Sequence, residues 1–247
     1  MAKNSVAFSS FYVQFENLFI FSPETLTFRC ESVKIISYFI FSVNGIHSYL
    51  IISEAGSVKA LEEKIQKDGQ VFPGNILKVG SFLNHQIDVD FLMEMGNEIA
   101  GLFSNSGANK ILTIESSGIA IAVAAAAKLH VPVVFAKKSK SKNVTGNVYS
   151  AEIYSFTHGN VNTAVVSCDV LSSDDRILIV DDFLAEGNAL IGLKKIIAQA
   201  GAECVGAAIA IEKGFQGGGD ALRAQGMRVE SLAIIESMTD DSIVFRT

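Results

Sequence analysis

From Ser57 onward the chain alternates short apolar runs with amphipathic segments, whereas residues 1–56 show no clean period of 2 or 3.6. VKALEEKIQKDG sets Val58, Leu61 and Ile65 on one face of a helix that Gly69 stops. Pro73-Gly74 signals a turn, Ile76, Leu77 and Val79 a short strand, and Phe82-Leu83 an apolar loop. Residues 89–103 have helical spacing, with Phe91, Leu92, Met95, Ile99, Leu102 and Phe103 inward. A buried strand at 111–114, a tight polar turn Glu115-Ser116-Ser117-Gly118, an Ala-rich helix at 119–129 and a strand at 131–136 make one βαβ unit. Such a unit implies a parallel pair with a right-handed crossover.

Residues 148–156 alternate and 163–167 read as another strand; this pair is expected to be antiparallel, an arm on the sheet. The chain is organised around the next stretch, RILIVDDFLAEGNALIGLKKIIAQA, at 176–200. Four apolar residues, Ile177 to Val180, lead to Asp181 and Asp182, then to the loop Ala185-Glu186-Gly187-Asn188-Ala189. A helix follows, with Leu190, Leu193, Ile196 and Ile197 on one face. A strand at 203–211, a short helix at 221–225 and strands at 228–235 and 242–245 complete the pattern. The sum is an α/β domain with a mostly parallel sheet. Its polar turns, at 115–118, 137–147, 181–189 and 212–215, collect at the carboxyl ends of strands, where open α/β sheets bind ligands.

Composition changes the picture mainly at the N-terminus. Residues 1–56 hold eight of the 17 phenylalanines and few charges. Residues 35–53 lack Asp, Glu, Lys and Arg, but Asn44, Gly45, His47 and four serines make them a poor membrane span. A signal peptide fits no better, lacking a well-formed apolar core and cleavage site. The favoured reading is an atypical extension, disordered or translated from upstream leader, with a start at Val58 written as valine from a GTG codon. The domain proper is then 57–247. A formal net charge of −6 argues against a general nucleic-acid binder, so any phosphate must be held by backbone amides and a few placed cations. Cys30, Cys168 and Cys204 are too scattered for a disulfide framework or a CxxC metal site and read as small buried hydrophobes in a reducing cytosol.

Each candidate group has a plain alternative. Asp181-Asp182 could be solvated carboxylates at a strand–helix junction. The loop after them favours a site, because small residues around Gly187 run straight into a helix whose free N–H groups and dipole hold a phosphate without a cation. There is no GxxxxGK[ST] loop, and no GxGxxG after a strand. Lys137, Lys138, Lys140 and Lys142 form either a solvated basic loop or a lid that excludes water. Lys213 could be a strand-end charge, Asn84 a turn residue, and His85 reads as structural.

VDDFLAEGNA resembles the phosphoribosyl pyrophosphate signature of the type I phosphoribosyltransferases. LKVGSFLNHQID, IESSGIA, VPVVFAKK, YSFT, EKGF and RVESLA extend the likeness over residues 58–247, and they are similar to the xanthine phosphoribosyltransferases. The resemblance implies that family's fold, a mostly parallel central sheet flanked by helices, with a small hood from N- and C-terminal segments. It implies that Ala185, Glu186, Gly187, Asn188 and Ala189 hold a 5′-phosphate and that Asp181 and Asp182 bind ribose hydroxyls. Ser116 and Ser117 would cup pyrophosphate, Lys138 would touch it from the lid, and Leu77, Asn84 and Lys213 would line the purine pocket. It further implies Mg²⁺ bound mainly through the substrate 5-phosphoribosyl 1-pyrophosphate, xanthine as acceptor, no dedicated metal site, a cytoplasmic homodimer, and neither nucleic acid nor membrane as partner. Glu186 departs from the family's usual loop and is expected to face outward, since a carboxylate turned inward would repel phosphate. A guanine or hypoxanthine enzyme, and a non-catalytic ligand-sensing regulator on the same fold, are the alternatives.

Overall fold

The computed structural model describes residues 56–138, 146–155, 160–239 and 242–246, and, nearer the N-terminus, residues 21–22, 25–26, 40–42 and 45–47. The chain divides into two compact units, Met1–Gly56 and Ser57–Thr247. In the first, β1 (Phe21–Ser22) pairs antiparallel with β2 (Thr25–Leu26), and β3 (Ile40–Ser42) with β4 (Gly45–His47). Cys30 and most of the apolar stretch at 35–53 lie outside the described residues. Among the described residues, no helix is long and apolar enough to cross a membrane.

The second unit opens with α1 (Gly56–Asp68), ended at Gly69 as its pattern predicts. Pro73-Gly74 turns a hairpin between β5 (Gln70–Phe72), which the sequence pattern does not mark, and the expected strand β6 (Ile76–Lys78). The expected apolar loop at Phe82-Leu83 is a π-helical turn, Gly80–Asn84, with both side chains buried. Asp88 then caps α2 (Val89–Phe103) by accepting from the Phe91 N–H at 3.3 Å, the reason this helix begins where its apolar period does.

A six-stranded sheet follows in the order β14-β13-β12-β11-β7-β8. β7 (Lys110–Ile114), α3 (Gly118–Leu129) and β8 (Val133–Ala136) are the predicted βαβ unit, and β7 and β8 pair in parallel. The arm, β9 (Val148–Ser155) with β10 (Asn160–Ser167), is antiparallel, as expected from its alternation. Among the described residues a bridge between Lys137 and Val165 ties it to the end of β8. β11 (Arg176–Leu184), α4 (Asn188–Gln199) and β12 (Glu203–Lys213) make the second βαβ unit. α5 (Gly218–Ala224), β13 (Val229–Thr239) and the antiparallel return β14 (Ser242–Phe245) end it.

β11 is apolar at every position from Ile177 to Val180 because both faces of the sheet are covered. Leu178 and Val180 join the core under α1, α2 and α3; Ile177 and Ile179 join the core under α4 and the arm. All four are fully buried, each contributing about 1.5–3 kcal/mol relative to exposure. The hood comprises the β5–β6 hairpin and the β13–β14 return, whose Val71, Met238 and Ile243 pack on the first core.

Candidate active site

The carboxyl ends of β7 and β11 and the N-termini of α3 and α4 enclose a cavity of about 380 Å³. Its walls bring together the turn 115–118, the acid pair 181–182, the loop 185–189 and Lys138, four stretches up to 74 residues apart in sequence. The first N–H groups of a helix have no partner within it, and their dipoles add there, so two helix starts facing one cavity favour an anion with more than one charged group. Gly187 makes the turn into α4 at φ 86°, and its carbonyl accepts from the Ile191 N–H at 3.0 Å.

The two acids lie inside the strand and not beyond its end. β11 stays paired with β12 as far as Leu184 opposite Glu212, which carries the acids into the sheet. Asp181 is buried and Asp182 half-buried. The Asp182 N–H donates to Asp181 Oδ1 at 3.0 Å. Burial pushes the Asp181 carboxyl well above the usual carboxylate range, and the neighbouring Asp182 charge pushes it the same way. Gly118 is what lets α3 start this close. A methyl group there would meet Thr113 Oγ1 at 2.3 Å and Asp181 Oδ1 at 2.6 Å.

On the opposite wall the Glu115–Ser116 peptide is cis. Glu115 Oε1 accepts from the Lys138 N–H at 2.6 Å, fixing the start of the basic segment against the turn. Of the expected lid, Lys137 and Lys138 are described; Lys140 and Lys142 lie outside the described residues. Glu186 is exposed on the rim, where its carboxylate accepts from the Asn188 side-chain amide at 3.4 Å.

None of the purine-pocket candidates, Leu77, Asn84 and Lys213, lines this cavity. Leu77 and Asn84 line a second one, of about 350 Å³, between the end of α1, β6 and the π-helical turn, together with His85. Lys213 stands between the two parts. Its ammonium donates to the Asn75 carbonyl in the hairpin turn at 2.8 Å and lies 5.9 Å from the Phe183 ring centroid. Burial lowers its pKa. Phe183, directly after the acids, lines the cavity without being among the residues expected from the sequence, as do Tyr154 and Asn162 from the arm. Phe183 could have been found from its place between the acids and the loop. Tyr154 stands in the YSFT motif, but nothing in it or around Asn162 marks this wall, since only the tertiary fold brings β9 and β10 to it.

A sequence model of the phosphoribosyl transferase domain matches residues 89–221. The xanthine phosphoribosyltransferase of Alkaliphilus metalliredigens is 52% identical over 189 residues, 76% of this chain and 94% of that protein. The same-named protein of Lactobacillus delbrueckii subsp. bulgaricus is 50% identical over 188 residues and is covered in full. Among solved structures, the adenine phosphoribosyltransferase of Rhodothermus marinus superposes with a TM-score of 0.60 at 21% identity, over 74% of this chain and 100% of that one. The Trypanosoma brucei enzyme, solved in complex with AMP, pyrophosphate and ribose-5-phosphate, gives 0.59 at 18% identity over 70% and 78%. At those identities the structural likeness speaks for the fold alone, a mixed central sheet with flanking helices.

Proposed function

The chain belongs to the phosphoribosyltransferase family, among the xanthine phosphoribosyltransferases, and from that membership we propose the transfer of the 5-phosphoribosyl group from 5-phosphoribosyl 1-pyrophosphate to N9 of xanthine. The bond between ribose C1 and pyrophosphate breaks, a C1–N9 bond forms, and the N9 proton is released. The products are xanthosine 5′-monophosphate and pyrophosphate, a purine-salvage step. The observation that carries this reading is the one cavity that unites the turn 115–118, the acid pair 181–182 and the loop 185–189, with the N-termini of two helices facing it.

In this reading the N–H groups of Ala185 to Ala189 hold the 5′-phosphate. Ser116 and Ser117 cup the pyrophosphate with their backbone amides, and Lys138 neutralises part of its charge. Asp181 and Asp182 accept hydrogen bonds from the ribose 2′- and 3′-hydroxyls. As C1 gains positive charge in the transition state, the same carboxylates offset it, where exclusion of water makes the effect larger. The purine lies against Phe183, and Lys213 exchanges the Asn75 carbonyl for a carbonyl oxygen of the base. Leu77 and Asn84 approach the base from the hood side, Asn84 recognising the 2-oxo group.

Mg²⁺ would be held mainly through oxygens of the pyrophosphate substrate, where it would supply positive charge to offset that of the leaving group. The donor set fits a cation shared with substrate, since the wall carries one acid pair beside N–H-rich turns. Among the described residues no group of three or more His, Cys, Asp and Glu is placed to cage a metal. The enzyme works in the cytoplasm as a homodimer, with neither nucleic acid nor membrane as partner.

The test is pyrophosphate release from 5-phosphoribosyl 1-pyrophosphate and Mg²⁺ with xanthine, guanine, hypoxanthine and adenine in turn. Fastest turnover with xanthine is expected. Preference for guanine or hypoxanthine would move the assignment to that neighbouring activity, and no turnover with any base would favour a ligand-sensing regulator.

A further inference from the structure

Glu212 and Lys213 are successive residues at the end of β12, and only Lys213 has a part in the proposed reaction. Glu212 is fully buried. Arg223, on α5, grips it with both terminal guanidinium nitrogens, Nη1 to Oε1 at 2.9 Å and Nη2 to Oε2 at 2.6 Å, and the Ser231 hydroxyl also donates to Oε2. Arg223 donates further to Asp220 at 3.2 Å. Asp220 accepts two bonds from Arg246, at 2.8 and 3.0 Å, and Arg246 donates to Glu236 at 2.6 Å. Taking the Glu212 carboxylate out of water carries a desolvation cost that its attraction to the partly exposed Arg223 need not repay, so stability alone is a weak reason for the pair.

What the pair holds is α5, and what α5 touches is the phosphate loop. A helix of seven residues is too short to be stable by itself, so its place is set by its contacts. At Gly219 a methyl group would lie 2.0 Å from Glu212 Oε1, which puts the carboxylate directly on the helix backbone. At Gly218 it would lie 2.2 Å from the Ala185 carbonyl oxygen, 2.4 Å from the Glu186 carbonyl carbon and 2.6 Å from the Gly187 nitrogen. Gly218 does not line the cavity, so it touches the loop from behind. Leu222 Cδ1 stands 3.2 Å from where a Gly187 side chain would start.

We propose that the ion pair of buried Glu212 with half-buried Arg223 is a positioning device for the 185–189 loop, fixing through α5 the backbone amides that receive the phosphate of the phosphoribosyl substrate. Neither residue touches substrate. The proposal rests on the reading of 185–189 as the phosphate loop. It divides the end of β12 by function, with Glu212 serving phosphate affinity and Lys213 serving the base.

The experiment compares the full chain with Arg223→Leu, Arg223→Lys and the near-isosteric Glu212→Gln. It measures KM for each substrate, kcat, and the Kd of ribose 5-phosphate. Arg223→Leu is expected to raise the KM for 5-phosphoribosyl 1-pyrophosphate and the Kd for ribose 5-phosphate about tenfold or more, the scale of a displaced binding group, with the xanthine KM unchanged. Arg223→Lys, which keeps the charge but loses the fork, should fall between. A merely structural role would lower kcat through loss of folded protein and would not move one KM alone. If Arg223→Leu does not fold, Glu212→Gln carries the same expectation. Unchanged phosphate-side constants in a folded variant, or equal rises for both substrates, would overturn the proposal while the parent's activity stands. A parent that neither turns over the substrate nor binds ribose 5-phosphate would sink the reading of the cavity, and this proposal with it.

Discussion

Asp181 carries the heaviest demand of any single residue: a carboxylate in the wall of the sheet, buried, beside a second acid. Its folded-state pKa is raised, so the native state binds the proton more tightly than the unfolded chain does. The associated stability is complete below the unfolded value of about 3.9 and is lost as pH rises through the folded value. Asp181→Asn, which does not titrate, should therefore gain in melting temperature relative to the parent as pH rises from acid to neutral. A pH-independent difference would show that the burial of this charge is unimportant. At Gly118 the contact with Asp181 and Thr113 leaves no room for a side chain. Gly118→Ala should cost about 1–3 kcal/mol in denaturant unfolding, as overpacking does, and reduce turnover as the acid is displaced. The identity of these acids was legible in the sequence, because two carboxylates between an apolar run and a small-residue loop are unusual. Their burial was not, because it depends on how far β12 continues beside β11.

At the scale of elements, the two βαβ units and α2 could be read almost to their ends, since each rests on apolar spacing, a turn or a cap within its own segment. The β5–β6 hairpin was half legible: Pro73-Gly74 marks the turn and β6 was expected, but Gln-Val-Phe alone carries too little pattern to mark a strand. That Leu77 and Asn84 line a cavity apart from the one holding the acids was not legible, because it is set by how the hood meets the sheet. Lys213 links these parts through Asn75 and Phe183. Lys213→Met should raise the xanthine KM about tenfold or more, the loss of a hydrogen bond from a charged donor, while the KM for the phosphoribosyl donor stays at the parent value. Equal changes in both constants would remove Lys213 from the base site.

For the whole molecule, the cavity residues and both apolar cores belong to the unit Ser57–Thr247, and the curated relatives match 76% of the chain. A chain beginning at Ser57 is expected to keep the parent's kcat and both KM values, measured by pyrophosphate release; a large fall would give residues 1–56 a role in the reaction. The break in composition at Ser57 was evident from the lost periodicity and the crowding of phenylalanine before it. The convergence of turns at strand ends was also evident, because a parallel sheet puts every βα turn on one edge.

The proposed phosphoribosyl transfer takes place in the cavity walled by Asp181 and Asp182. The most direct measurement is the rate of xanthosine 5′-monophosphate formation by Asp181→Asn/Asp182→Asn under saturating substrates, with circular dichroism recorded on the same samples. Loss of the transition-state charge interaction predicts a rate lower by about 100-fold or more with the spectrum of the parent unchanged. Near-parental turnover by the folded double variant would contradict the account.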